Sequence, residues 1–439
     1  MTLQASYKAH IAERLRKAEA ALEAAGFDAM VLHAGSPFRY FADDQDAPFR
    51  TNPHFAHWLP LAGPYHLLLV KPGSKPKLMR VAPEDYWHEQ LPLGDPFWAE
   101  SFDIQQVGAE EEAWKALDLA GKVAYIGDAP ERAVSGGIQS TATNPAELTA
   151  RLDWDRSSKS EYEVDALEEA GKLAGKGHHA ARVAFEEGGS ELEIHRAYVT
   201  AIESLDAQLP YGSIVALDDR GATLHYESKR PASAMRDGKV LLIDVGAQVR
   251  GYGSDITRTW TRGSCDPLFR DIVEQTDAMQ LRLCDMVRPG YEYADFHHQA
   301  HIEIANILHG TGIIKTAGEE AVAMGLTGPF FPHGLGHFLG IQTHDVSGHQ
   351  AGPEGGTNTP PENYPYLRTT RRMEERQVFT VEPGIYFIPM LLREHRTGPK
   401  AQQFDWETID RLAPLGGVRI EDNLVVTESG HRSLTRPYI

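Results

Sequence analysis

"KVLLIDVGAQVRGYGSDITRTW", residues 239–260, decides how the rest of the chain is read. "VLLIDVGA" is an apolar run of strand length, and "YGSDITRTW" is a second one. "QVRGYG" between them contains the turn, so the two read as a hairpin. Each strand carries one aspartate in an apolar setting, Asp244 and Asp255. With the hairpin centre between Val249 and Arg250, the two are equidistant from it and face each other across the ladder. Directly opposed Cβ atoms lie about 4.5–5.5 Å apart. Two carboxylates so placed repel unless a cation lies between them. The other reading is that one aspartate caps a turn and the other is solvated. The apolar context weighs against it, because an unpaired charge is costly to bury.

Two glutamates repeat the pattern. "QVFTVEPGIYF" (377–387) places Glu382 in an apolar strand stopped by Pro383-Gly384, and "GGVRIEDNLVVTE" (416–428) places Glu421 inside another. Charged residues are rarely buried unless paired. For either glutamate alone, an ion pair with a core arginine is an equal explanation.

"FFPHGLGHFLGIQTHD" (330–345) adds three imidazoles, His333, His337 and His344. His333 and His337 have the i, i+4 spacing of a helical metal pair, but Gly334 and Gly336 disfavour a helix by about 1 kcal/mol each. No glutamate lies between the two histidines, as the helical zinc-protease motif requires. The stretch reads instead as loop and strand, with glycines letting backbone approach a site. One metal ligand and two proton-handling or substrate-binding groups account for the three histidines as economically as three ligands.

Length and composition bound the rest. The 439 residues suffice for two or three domains. A formal net charge of -19 argues against nucleic acid and anionic membranes as partners. Two cysteines, Cys265 and Cys284, make no disulfide framework, so a reducing compartment is expected. The amphipathic start lacks the apolar core of a secretory signal, and no stretch is long and apolar enough to span a membrane. A cytoplasmic protein is expected.

Residues 4–25 have helical periodicity that Gly26 stops. The apolar runs 27–35, 65–73, 77–82 and 122–128 read as strands of a small α/β domain. The polar stretch 151–165 marks a boundary, giving expected domains 1–159 and 160–439. Ser160 with Glu163 resembles a capping box opening a helix to about Phe185, and a second helix runs from about Ser190 to Leu205. The Gly/Pro/Asn-rich segment 347–367 reads as an irregular, functional loop.

"LLIDVGA…GYGSDITRT", "PHGLGHFLG…THD", "VEPGIYF" and "GGVRIEDNLVV" together resemble the signature segments of the pita-bread metallopeptidases, in order over residues 160–439. "FADDQDAPFRTNPHFAHWLPL" (41–61) is similar to bacterial prolidases in particular, the Xaa-Pro dipeptidases, a group that includes the organophosphorus acid anhydrolases. The fold implied is α/β (α+β): a small N-terminal α/β domain, then a pita-bread domain with a mixed, largely antiparallel curved sheet flanked by helices.

The resemblance implies a two-metal site. Asp244 would bind one ion, Asp255 and Glu421 would bridge both, and His337 with Glu382 would hold the other. Four carboxylates, one imidazole and no thiolate suit Mn²⁺ first, while Zn²⁺ or Co²⁺ could occupy the site. Such ions activate water and polarise the scissile carbonyl. His333 and His344 would line the site and stabilise the tetrahedral species, Glu382 would also shuttle a proton, His225 would contact the substrate near its C-terminal end, and Tyr211 would lie near the metals. In "YLRTTRR" (366–372), Arg368 resembles the arginine that clamps a dipeptide's free carboxylate, with Arg419 nearby. A homodimer is implied, with Asp44 of the N-terminal domain reaching the partner's site.

The competing readings are an aminopeptidase P acting on longer Xaa-Pro-Yaa peptides and a pita-bread binding module without metals. The intact five-residue ligand set disfavours the second. Organophosphorus hydrolysis would be a side activity.

Overall fold

The computed structural model describes residues 2–87, 89 and 92–439. The chain divides into two units: one holds the chain up to Arg156 with Ser160–Tyr162 and Ala351–Gly356, and the other holds Ser157–Lys159, Glu163–Gln350 and Thr357–Ile439.

The first unit opens with the helix Leu3–Ala25, capped by Gly26 in the left-handed region at φ 70°. Its sheet runs in the order Asp103–Val107, Lys77–Val81, Leu67–Val70, Ala29–His33, Val123–Ile126. Both outer pairings are parallel and both inner ones antiparallel. Four of the five strands are those read from the sequence. Asp103–Val107 was not read: it is a polar strand with exposed positions, so no apolar run marks it.

In the second unit two similar halves follow each other. Helices Glu161–Glu186 and Glu191–Ala201 precede a three-stranded antiparallel sheet with Val240–Asp244 between Ile214–Leu217 and Thr257–Thr261. Ser190 and Glu193 form a capping box that starts the second helix. Helices Pro267–Met286 and Tyr293–Gly310 then precede Val378–Val381 and Gly384–Tyr386, which pair antiparallel with Asp422–Val426 and Gly417–Arg419. Periodicity explains the layering: Phe269, Ile272, Met279 and Leu283 of one helix and Phe296, Ala300, Ile304 and Leu308 of the next meet Phe379, Val381, Leu424 and Val426 in one core. Ala174, Ala181 and Phe185 likewise meet Val215, Leu217, Leu241 and Ile243. The segment 347–367 is not wholly irregular, since Gln350–Gly352 and Gly355–Thr357 pair as a small hairpin.

One register differs from expectation. Val249 pairs with Tyr252, and Arg250 and Gly251 form the two-residue turn, both at positive φ. The centre therefore falls one residue later than expected, and Asp244 faces Thr257 instead of Asp255. Because strand side chains alternate, a shift of two places keeps Asp255 on the same face, diagonal to Asp244. Turn chemistry, not the apolar pattern, sets such a register.

Candidate metal centre

Each half of the second unit contributes two acids. Asp244 ends the strand Val240–Asp244, and Asp255 precedes Thr257–Thr261. In the second half Val381 faces Asp422 and Gly384 faces Arg419, so the same register sets Glu382 opposite Glu421, in the gap that Pro383 opens in the ladder. Like charges directly opposed destabilise a sheet. The halves meet where the Glu421 amide donates to the Thr257 carbonyl, 3.0 Å, and the Thr257 hydroxyl donates to Glu421 Oε2, 2.7 Å.

The histidine stretch lies as a loop along Val378–Val381. The Thr380 amide donates to the His337 carbonyl and the Glu382 amide to the Leu335 carbonyl, 3.0 and 2.8 Å. Only glycine fits at 336, where a Cβ would stand 2.0 Å from the Thr380 carbonyl oxygen. That approach brings His337 Nε2 to 3.3 Å from Asp255 Oδ2 and 3.7 Å from Glu382 Oε1. His337 Nδ1 lies 3.0 Å from the Phe338 carbonyl, which accepts its proton and leaves Nε2 facing the acids; burial alone would lower the imidazole's pKa, but the hydrogen bond and charge of Asp255 raise it. Ligand atoms of Asp255, His337 and Glu421 all lie within 4.8 Å of one another.

The electrostatics follow from burial. Asp244, Asp255 and Glu421 are buried and Glu382 is partly so. Desolvation, then the charges of Asp255, Glu382 and Asp244, push Glu421 well above the usual carboxylate range. Glu382 rises to about 7, mainly by desolvation against the opposing influence of His337 and Arg419. Asp244 rises by desolvation, partly offset by Arg419. Desolvation would raise Asp255 too, but the hydrogen bond and charge of His337 turn it downward. The Arg419 Nη2 donates to Asp244 Oδ2 at 2.6 Å, its Nη1 to the Tyr386 hydroxyl and its Nε to the Thr257 hydroxyl, both at 3.0 Å. Four carboxylates thus converge with one guanidinium. A cluster of acids that hold one another's protons on is what a hard divalent cation relieves, and the all-oxygen-and-imidazole donor set fits such an ion.

The remaining candidate residues of this unit separate into engaged and free groups. The Tyr211 hydroxyl donates to Asp244 Oδ1, 2.7 Å. Arg419, expected beside Arg368 at the substrate, has all three of its nitrogens bonded inside the cluster. His333 is engaged at both nitrogens: Nδ1 lies 2.8 Å from the Gly334 carbonyl and Nε2 2.8 Å from the Tyr386 hydroxyl. Tyr386, which joins His333 to Arg419, was missed in the sequence; its neighbourhood to Pro383-Gly384 was the available signal. His344 packs edge-on against His337, ring centroids 4.5 Å apart, and makes no hydrogen bond among the described residues. Arg368 and His225 are exposed, and their charges act on His344. In the first unit, Asp44 lies on an exposed turn whose amide donates to Asp43 Oδ1, 2.7 Å.

A buried carboxylate–histidine cluster at the junction of two sheet halves is the hallmark of a metallohydrolase, and residues 165–428 match the model of metallopeptidase family M24. The chain belongs to this family. Residues 5–154 match a second model, the N-terminal domain of Xaa-Pro dipeptidase. Among relatives, the Xaa-Pro dipeptidase of Pseudoalteromonas atlantica is 39% identical over 434 residues, covering 98% of this chain and 97% of its own. That of Salmonella arizonae is 41% identical over 438 residues, with 99% and 98% covered. Among solved structures, Pseudomonas aeruginosa aminopeptidase PepP superposes with a TM-score of 0.74 at 23% identity, covering 97% of this chain and 94% of its own, a likeness of fold.

Proposed function

We propose that this protein is a metal-dependent Xaa-Pro dipeptidase. The observation that carries the reading is the convergence of Asp244, Asp255, Glu382 and Glu421 with a single guanidinium, in a chain about two-fifths identical to Xaa-Pro dipeptidases over nearly its whole length. Three uncompensated charges exceed what one divalent ion neutralises, which supports two ions per subunit. Asp244, Asp255, His337, Glu382 and Glu421 would hold them, with Mn²⁺ the ion best suited to the oxygen-rich set. When bound, the ions supply Lewis-acid polarisation and an activated water.

The chain's own residues do the rest. Glu382 accepts the proton of the attacking water and delivers it to the proline nitrogen as the C–N bond breaks. His344, whose ring nitrogens make no hydrogen bond among the described residues, donates to the oxygen of the tetrahedral species, whereas His333, engaged at both nitrogens, walls the site and is held by Tyr386. Arg419 keeps Asp244 oriented instead of meeting substrate. Arg368, exposed and unpaired, grips the dipeptide carboxylate bidentately, with His225 beside that end. Residues 160–439 form the catalytic part of this reading. The preceding residues support a cytoplasmic homodimer in which Asp44 meets the substrate's α-amino group.

The test is to assay Mn²⁺-loaded protein on an Xaa-Pro dipeptide beside an Xaa-Pro-Yaa tripeptide. Preference for the dipeptide, lost on chelation, is expected. Preference for the tripeptide would make the enzyme an aminopeptidase P, and full activity in metal-free protein would overturn the mechanism.

A further inference from the structure

His344 lies near the end of a loop whose start is tied by the Leu339 amide to the Val378 carbonyl and by the Gly340 amide to the Gln342 carbonyl, both at 3.0 Å. The loop from Phe338 to Asp345 closes through the Asp345 amide, which donates to the Phe338 carbonyl at 2.9 Å, and His344 precedes that closing residue. Its ring makes no hydrogen bond among the described residues, so its position depends on Asp345. Arg368 lies on another loop, three residues before Arg371. Neither loop belongs to a strand that carries the acids.

Both loops are fastened to one three-residue segment, Ser157–Lys159. Lys159 Nζ donates to Asp345 Oδ2 at 2.9 Å, and the two side chains are 1% and 2% exposed. Gly340 makes room for the pair, since a Cβ there would stand 2.3 Å from Asp345 Oδ2 and 2.9 Å from Lys159 Cε. The other carboxylate oxygen, Asp345 Oδ1, accepts from the Val346 amide at 3.0 Å. At the other end of the segment, Arg371 Nη1 donates to the Ser157 hydroxyl at 3.0 Å and to the Ser347 hydroxyl at 2.7 Å. The segment is itself anchored to the start of Val378–Val381: the Lys159 amide donates to the Arg376 carbonyl at 2.8 Å, Arg376 Nε donates to the Lys159 carbonyl at 2.6 Å, and Ser158 bridges Gln377.

We infer that Ser157–Lys159 is a clasp for the substrate-facing side of the site, with Lys159 as the positioning residue for His344. It connects the loop of His344, the loop of Arg368 and the strand leading to Glu382 through one buried ion pair and two arginines, Arg371 and Arg376. An ion pair this deeply buried is a weak source of stability compared with apolar side chains of the same size, but it is directional. A directional tie suits a loop whose histidine must meet a developing charge, where a misplacement of about 1 Å costs on the order of 10²-fold in rate. The inference rests on the proposed role of His344 in binding the tetrahedral species.

Lys159→Met fills the same space without the charge, and pairing it with Asp345→Asn avoids a stranded carboxylate. The Lys159→Met/Asp345→Asn protein, loaded with Mn²⁺, should keep wild-type metal content and thermal midpoint and lose about 10- to 100-fold in kcat with KM within about threefold. Lys159→Arg should restore part of kcat. His344→Ala is the reference. If it loses activity while the double variant, folded and metal-loaded, retains wild-type kcat, the clasp is overturned and the role of His344 stands. If His344→Ala is itself fully active, the reading of His344 fails, and the clasp with it. Should the double variant not fold, Arg371→Met with Ser347→Ala removes the other tie, and unchanged kinetics there would overturn the clasp as well.

Discussion

Glu421 and Asp422 are neighbours in the chain and opposites in chemistry. Glu421 immediately precedes the strand Asp422–Val426, so the two side chains point to opposite sides of the extended chain, and both are buried. Asp422 lies between two cations, Arg258 Nη2 at 2.7 Å and Arg436 Nε at 3.0 Å, and accepts from the Thr435 hydroxyl at 2.8 Å. Arg436 in turn meets Asp277 at 2.7 Å. That face balances its charge within the protein. Glu421 faces Glu382, Asp244 and Asp255 and shares Arg419 with them. One face is complete as folded, and the other is complete only with cations that the chain does not supply. A buried acid therefore says little about function until its partners are counted.

Two substitutions one residue apart break the comparison most sharply. Glu421→Gln should abolish catalysis by at least about 10³-fold, the equivalent of several kcal/mol of lost charge stabilisation, and reduce bound metal by elemental analysis. In metal-free protein the same change relieves repulsion, so its thermal midpoint should equal or exceed that of the wild type. Asp422→Asn should do the reverse. It leaves Arg258 and Arg436 facing a neutral amide and should lower stability by about 3–5 kcal/mol with or without metal, while kcat per folded, loaded molecule stays close to wild type. If Glu421→Gln destabilises the metal-free protein as much as Asp422→Asn does, the two faces are not different in kind.

How much of this was legible in the sequence varies by element. Leu3–Ala25, Glu161–Glu186, Glu191–Ala201 and four strands of the first unit announced themselves through periodicity, Pro267–Met286 and Tyr293–Gly310 were not singled out, and the acids were legible because Asp244, Glu382 and Glu421 interrupt runs that otherwise read as core. Asp103–Val107 stayed hidden because an exposed edge strand needs no apolar alternation. The opposition of Asp244 and Asp255 was misplaced by one step of the turn: "QVRGYG" offers more than one two-residue centre, and the apolar pattern is the same for each. The opposition of Glu382 and Glu421 could not be read at all, because 38 residues separate strands whose register is set by long-range pairing. His337 was separable from His333 and His344 only through resemblance; the structure supplies a physical distinction in Nε2, which faces Asp255 and Glu382 in His337 but meets the Tyr386 hydroxyl in His333. The double engagement of His333 is a tertiary fact with no local signature, and Tyr386 had only its place beside Pro383-Gly384 to mark it.

Arg368, whose charge acts on His344, makes no ion pair among the described residues, and its removal is the next smaller effect. Arg368→Ala should raise KM for an Xaa-Pro dipeptide about 10- to 100-fold, as expected for losing a charge-assisted carboxylate contact. The C-terminal amide of the same dipeptide has no charge to lose and should be hydrolysed by both proteins alike. Equal losses on both substrates would assign Arg368 to the fold instead of the substrate.

The smallest effect is a pair of opposed pH slopes in metal-free protein. On the Asp422 side, His178 is buried with Nε2 donating to the Val245 carbonyl at 3.0 Å, and burial followed by the nearby Arg258 lowers its pKa to about 3. Its folded value lies below the unfolded one, so the native state binds fewer protons, and the stability it contributes is present above about pH 6.5 and lost as pH falls toward 3. On the other face Glu382 is raised to about 7, chiefly by desolvation. The native state there binds more protons than the unfolded chain, so that contribution is present below about pH 4.5 and lost as pH rises through 7. Between these limits the two faces pull stability in opposite directions, each by at most about 1.4 kcal/mol per pH unit. Chemical denaturation of chelator-treated protein from pH 4.5 to 7 resolves them. His178→Gln keeps a donor for the Val245 carbonyl and should remove one share of the acid-side loss, to which other buried histidines such as His33, His66 and His301 also contribute, leaving a steeper fall toward neutral pH. Glu382→Gln should lessen that fall, with Glu421 and Asp244, also raised by burial, supplying the remainder. Bound metal should erase the Glu382 slope and not the His178 one, because only the acid face changes its charge when a cation enters. A Glu382→Gln protein with the same pH profile as the wild type would mean that the acid face is already neutralised within the chain, and the contrast with Asp422 would collapse.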